Sequence, residues 1–137
     1  MILLDSGPIV ALLDERDALN RRAVGELKRA RGRELFTCAP VLTEVAFALP
    51  GRRHRRRLAE FLGRFEVRAA AVGREETVWR EVLDWLDRYA DHDPDLADGW
   101  LAVLSQRERR FRIWTFDREF RTIWRRPDGS SIPLAFG

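Results

Sequence analysis

The sequence predicts a three-layer α/β/α fold around a mostly parallel sheet of four to five strands. Two observations carry this expectation. Short apolar runs alternate with longer stretches of helical periodicity, and strands separated by helices pair in parallel through right-handed crossovers. The 137 residues, 45% of them hydrophobic, match the length of one domain with enough apolar material for one core. No composition seam, internal repeat or low-complexity linker divides residues 1–137.

Ile2-Leu3-Leu4 reads as a buried strand that stops at Asp5-Ser6-Gly7-Pro8. Ser6 is placed to cap a short helix from Ile9 to Leu13, with Pro8 in its first turn, where a missing N–H costs nothing. Asp17 to Arg31 carries Ala23, Leu27 and Ala30 on one helical face and is closed by Gly32. Glu34 to Ala39 is the second strand. Pro40 opens a helix bearing Val41, Leu42, Val45, Ala46 and Leu49, which Pro50-Gly51 breaks. Arg52 to Gly63 is a basic helix with Leu58, Phe61 and Leu62 inward, and Phe65 to Val72 is the third strand. Arg74 to Ala90 is the most amphipathic segment, with Val78, Val82, Trp85, Leu86 and Tyr89 on one stripe. After a polar loop, Leu96 to Gln106 is helical. Phe111 to Phe116 is the fourth strand and Asp117 to Trp124 a short helix. Pro127-Asp128-Gly129 turns the chain into an edge strand from Ile132 to Phe136.

The formal net charge is +3, and of 25 basic residues only Lys28 is lysine. A basic surface favours polyanions, although so strong an arginine bias is also what a GC-rich genome produces. Cys38 is the one cysteine and lies in an apolar stretch, where it reads as a small core residue. With His54 and His92 as the two histidines, a Cys/His metal site is disfavoured. The apolar start before Asp5 is too short for a signal peptide, and no run reaches the ~20 residues of a membrane span, so a cytoplasmic protein is expected.

Ligands of open α/β sheets bind beyond the carboxyl ends of the strands. Asp5 ends the first strand and Asp117 the fourth, in Trp114-Thr115-Phe116-Asp117. Glu44 follows the second strand by about one helical turn, and Asp98 lies one turn into the helix after Asp95. Both stand among apolar neighbours. Each acid has a plain alternative: Asp5 as a cap or turn residue, Asp117 as a helix cap, Asp98 bonded to a first-turn amide, Glu44 paired with an arginine. Together they are like charges that disfavour one another's ionisation, a repulsion that a divalent cation relieves. Oxygen-only ligands suit Mg²⁺, with Mn²⁺ as the alternative. The chemistry that follows is phosphodiester hydrolysis by a metal-activated water, which needs neither histidine nor lysine as base.

Rival folds fail on particular residues. A haloacid-dehalogenase-type phosphatase needs a second Asp where this chain has Gly7. A receiver domain needs a late lysine, and Lys28 lies in an early helix. A dinucleotide site needs a glycine-rich loop that Gly7-Pro8 is not. A non-cleaving module that holds RNA or a partner remains as the alternative.

At Asp5-Ser6-Gly7, Thr43-Glu44-Val45, Asp95-Leu96-Ala97-Asp98 and Thr115-Phe116-Asp117-Arg118-Glu119-Phe120 the chain resembles the PIN-domain ribonucleases, most of all the VapC-type toxins of bacterial toxin–antitoxin pairs. The resemblance runs from Met1 to about Pro133. It implies metal-binding acids at Asp5, Glu44, Asp98 and Asp117, with Ser6 and Thr115 as supporting hydroxyls. Asp95 is then an extra ligand or the helix cap, the latter favoured. Glu119 stands where an Asp is common, and Gly99 where an Ala is usual, a change expected to loosen that helix start by about 1 kcal/mol. The resemblance further implies an RNA substrate, a small cognate antitoxin whose tail crosses the active-site groove, and a homodimer.

Arg52 and Arg53 open the densest basic run, which is either an RNA-phosphate contact or a solvated helix face. Arg118, Arg121, Arg125 and Arg126 follow Asp117 and are placed to hold substrate. Arg107, Arg109, Arg110 and Arg112 read as a solvated helix end and loop. Trp79, Trp85 and Trp100 read as core or dimer interface, and Trp124 as core rather than a base-stacking platform.

Overall fold

The computed structural model describes residues 1–137. Four short strands, β1 (Ile2–Leu4), β2 (Leu35–Thr37), β3 (Arg68–Ala69) and β4 (Arg112–Trp114), form one sheet in the order β3-β2-β1-β4. Every pairing is parallel, with Leu3 opposite both Phe36 and Ile113. Around the sheet run α1 (Ser6–Leu13), α2 (Asn20–Arg29), α3 (Ala39–Ala48), α4 (Arg52–Arg64), α5 (Glu75–Arg88), α6 (Leu96–Arg107) and the single turn α7 (Glu119–Thr122). The three-layer expectation holds.

All three residues of β1 are inaccessible to solvent, as a parallel strand covered on both faces requires. They belong to a core of 27 buried residues that includes Cys38, Trp85, Trp114 and Trp124. Because β1 lies between β2 and β4, the chain order reverses beside it. A crevice opens at such a switch point, beyond the carboxyl ends of the strands. Asp5 stands there.

Several local expectations change. Helix α1 begins at Ser6 rather than Ile9, and its N-cap is Asp5, not Ser6: the Asp5 carboxylate accepts the Ser6 N–H at 2.7 Å. The third strand shrinks to two exposed residues, because Arg68 and Ala69 offer no apolar pair to bury. The last edge strand is reduced to a parallel bridge at Ile113 and Leu134. Ile113 donates to the Pro133 carbonyl at 2.9 Å and accepts from Ala135 N–H at 2.8 Å.

The glycine at 99 does not loosen α6. It lets α5 pack closely on it: a Cβ there would lie 3.1 Å from both Trp85 Cε3 and Val82 Cγ1. Trp79 is not core, being 50% exposed on the outer side of α5. Arg107 is not solvated. It reaches Glu81 through two nitrogens (2.8 and 3.2 Å), the Val72 carbonyl (3.0 Å) and Thr77 Oγ1 (3.0 Å), tying α6 to α5 and the loop before it.

A candidate active site at the strand ends

Asp5 is 6% exposed and sits at the centre of the site. Its backbone N–H donates to the Trp114 carbonyl at 3.0 Å, extending the β1–β4 ladder by one bond. One carboxylate oxygen caps α1. The other accepts the Thr115 hydroxyl at 2.7 Å. Burial raises its pKa from 3.8 to about 6, against the lowering effect of those two bonds, and the charges of Glu44 and Asp117 push it further up.

Thr115 joins two of the acids. While donating to Asp5, its hydroxyl oxygen accepts the Asp117 N–H at 3.0 Å. Asp117 in turn accepts the Glu119 N–H at 2.9 Å and so starts the α7 turn. Ser6 makes the third link: its hydroxyl donates to Glu44 Oε2 at 2.7 Å, drawing α3 toward the start of α1. Glu44 therefore meets a hydroxyl rather than an arginine.

Asp98 comes from α6 and is 8% exposed. Its Oδ2 accepts the Asp95 N–H at 2.9 Å across the first turn. Burial is the main reason its pKa climbs from 3.8 to about 7, with Asp5, Asp117 and Asp95 adding like charge. Asp5, Glu44, Asp98 and Asp117 thus lie within electrostatic reach of a common centre at Asp5.

The donor set is oxygen-only and fits a hard divalent cation in kind. No three acidic, histidine or cysteine side chains converge at metal-ligand spacing.

Asp95 is the N-cap residue of α6, as favoured from the sequence. Glu119 contributes a backbone N–H to Asp117. Arg52, Arg53 and Arg118 are exposed, and Arg118 directly follows Asp117. Arg121 bonds the Phe136 carbonyl at 3.1 Å and Arg125 bonds Ser131 Oγ at 3.0 Å, so both are partly engaged. Arg126 is buried against Ser105 and is not available to substrate. Two residues next to this network were not singled out from the sequence: Arg22 and Glu26 of α2. The signal was available, since Glu26 falls on the face of Ala23, Leu27 and Ala30, where an acid is out of place.

Comparison with known proteins agrees with the fold. The PIN domain family model matches residues 2–124. A crystal structure of VapC20 from Mycobacterium tuberculosis, described as a sarcin–ricin-loop-cleaving toxin, superposes with a TM-score of 0.73 at 21% identity. The match covers 89% of this chain and 94% of that one. No curated protein sequence matches.

Proposed function

The chain belongs to the PIN-domain family, and from that premise we propose that it is a metal-dependent endoribonuclease, the toxin of a toxin–antitoxin pair. The observation that carries this reading is the acid cluster: four carboxylates from four separate elements, coupled through Asp5 at the switch point of the sheet. Such clustering is costly for stability and has a purpose when a cation is bound. The VapC20 likeness adds support for the toxin role.

Asp5, Glu44, Asp98 and Asp117 would hold Mg²⁺, or Mn²⁺ in its place. A bound cation of this kind supplies an activated water and neutralises charge on the scissile phosphate. The chain's own part is positional. Thr115 holds the Asp5 carboxylate and the Asp117 backbone in one arrangement, and Ser6 does the same for Glu44. Burial of Asp5 and Asp98 keeps water from screening their charges. Arg118 stands beside Asp117 for the phosphate, and the Arg52–Arg53 end of α4 offers a second phosphate contact.

The partners follow from the same reading: RNA as substrate, a cognate antitoxin over the groove, and a second copy of the chain. Trp79 and Leu83, one turn apart and 50% and 60% exposed on α5, give a dimer an apolar surface to cover. No helix is long and apolar enough to cross a membrane, and the site of action proposed is the cytoplasm.

The test is cleavage of total cellular RNA by the purified protein, with Mg²⁺ or Mn²⁺ against EDTA, beside Asp5→Ala and Asp98→Ala. Discrete fragments are expected from the wild type with metal only. Silence from the antitoxin-free wild type at every metal concentration would favour a non-cleaving RNA- or protein-binding module. Equal cleavage by the variants would place the active site elsewhere.

A further inference from the structure

We infer that Arg22 and Glu26 of α2 are positioning residues for the acid cluster, gripping the end of β4 on both sides of Thr115. Glu26 is a buried carboxylate in the middle of a helix, outside the acid cluster. Its Oε2 accepts the indole N–H of Trp114 at 2.7 Å, and its Oε1 accepts Arg22 Nε at 3.1 Å. The Arg22 guanidinium then lies over the Phe116 ring, 4.9 Å from its centroid. Residues 22 and 26 are one turn apart on a single helix face, and residues 114 and 116 share one side of an extended segment. The ion pair therefore touches the residue before Thr115 and the residue after it.

Thr115 itself points the other way. Its hydroxyl donates to Asp5 and accepts from Asp117. The Trp114 carbonyl also accepts the Asp5 N–H. Holding Trp114 and Phe116 from behind thus fixes three of the bonds that set the relative places of Asp5 and Asp117. Core packing alone does not call for an acid here. A buried carboxylate needs partners, and a leucine would fill the space without them. What an apolar side chain lacks is a directional grip on the indole N–H. The inference rests on the proposed nuclease reading only for its consequence in cleavage.

The experiment uses Glu26→Leu, Glu26→Gln and Arg22→Met, with Val82→Ala as a remote control of lowered stability. Amide hydrogen exchange on the metal-free protein reads the Asp117 and Ser6 N–H groups directly. In Glu26→Leu the Asp117 amide is expected to exchange at least about tenfold faster than in the wild type, while β2 amides keep their rates. Arg22→Met is expected to act in the same direction. Glu26→Gln keeps an oxygen for the indole N–H but turns an N–H₂ toward Arg22, so its exchange should fall between that of the wild type and that of Glu26→Leu. Cleavage should follow the same order, with kcat falling and KM held. Unchanged exchange at Asp117, acceleration of all amides together as in Val82→Ala, or a glutamine variant that exchanges as fast as the leucine would each overturn the inference. A wild type that cuts no RNA would defeat the nuclease reading and leave the exchange result to decide this one.

Discussion

Replacing Asp98 with asparagine should make the metal-free protein more stable, and by an amount that depends on pH. The unfolded chain ionises this carboxyl near 3.8, whereas burial and the neighbouring acids hold it near 7 in the fold. Between those values the unfolded state has lost a proton that the native state retains, so the contribution of Asp98 to stability falls as pH rises. The loss is complete above about pH 7. At 1.36 kcal/mol per pH unit, the displacement from 3.8 to about 7 corresponds to about 4 kcal/mol. Asparagine retains an oxygen for the Asp95 N–H and carries no charge. An amide nitrogen left without an acceptor takes back about 1–2 kcal/mol. The net gain expected above pH 7 is therefore about 2–3 kcal/mol, on the order of 10 °C in melting temperature for a chain of this size. At pH 4 the native carboxyl is protonated and the unfolded one only about half ionised, so little of the gain remains and the cost of the amide should leave the variant no more stable than the wild type. Urea unfolding in EDTA from pH 4 to 8.5 measures it. A variant no more stable than the wild type at pH 8, or a gap of constant size across the range, would refute the argument. With Mg²⁺ the wild type should regain stability by mass action, and Asp98→Asn should gain less.

Thr115→Val keeps the shape of the side chain and removes both the bond to Asp5 and the acceptor for Asp117 N–H. A roughly 10- to 100-fold loss of cleavage is expected, with near-normal secondary structure by circular dichroism. Gly99→Ala gains about 1 kcal/mol of helix propensity but presses a methyl group against Trp85 and Val82, at a cost of about 1–3 kcal/mol for overpacking. Net destabilisation of about 1 kcal/mol is expected by urea unfolding. An Arg107→Met variant should lose about 2 kcal/mol, because Glu81, Thr77 and the Val72 carbonyl lose their shared donor. Its RNA cleavage at low temperature should be unaffected, since Arg107 sits away from the acid cluster.

The parts of the fold that were legible from residues alone are those where a local pattern and the global arrangement agree. Ile2-Leu3-Leu4 followed by Asp5-Ser6-Gly7-Pro8 is an apolar run that must be buried and a turn that must end it. All three strand residues are inaccessible. That the acids at 5, 44, 98 and 117 stand near one another was legible because strand ends and first helical turns converge once the sheet is parallel, while their role belongs to the proposed function. What could not be read is what depends on a partner distant in sequence. Arg107 looked like a solvated helix end because Glu81, Thr77 and Val72 lie about a helix away along the chain. Gly99 looked like a weak helix start because its reason is the Trp85 ring across the α5–α6 contact. The extent of β3 depends on two residues, Arg68 and Ala69, that are in neither a strong strand pattern nor a buried place.

The plain and the functional readings of the acids are compatible in this structure, and that has a consequence for how they should be tested. Asp5 caps α1, Asp98 bonds the first turn of α6, and Asp117 starts α7. Each carboxylate does a backbone task with one oxygen, and that task fixes where its charge stands. The strand ends supply the position and the helix starts supply the orientation, so the cluster is made from parts the fold needs in any case. An alanine at any of these positions removes a cap, worth about 1 kcal/mol, together with a charge. Loss of activity in such a variant mixes the two effects. Asparagine keeps the cap and, at Asp117, removes the charge alone, while at Asp5 it also takes the acceptor from the Thr115 hydroxyl. If Asp5→Asn and Asp117→Asn fold as well as the wild type yet cut no RNA, the charge of the cluster is what the chemistry needs. If they cut while the alanine variants do not, the acids serve the fold and the active site lies elsewhere.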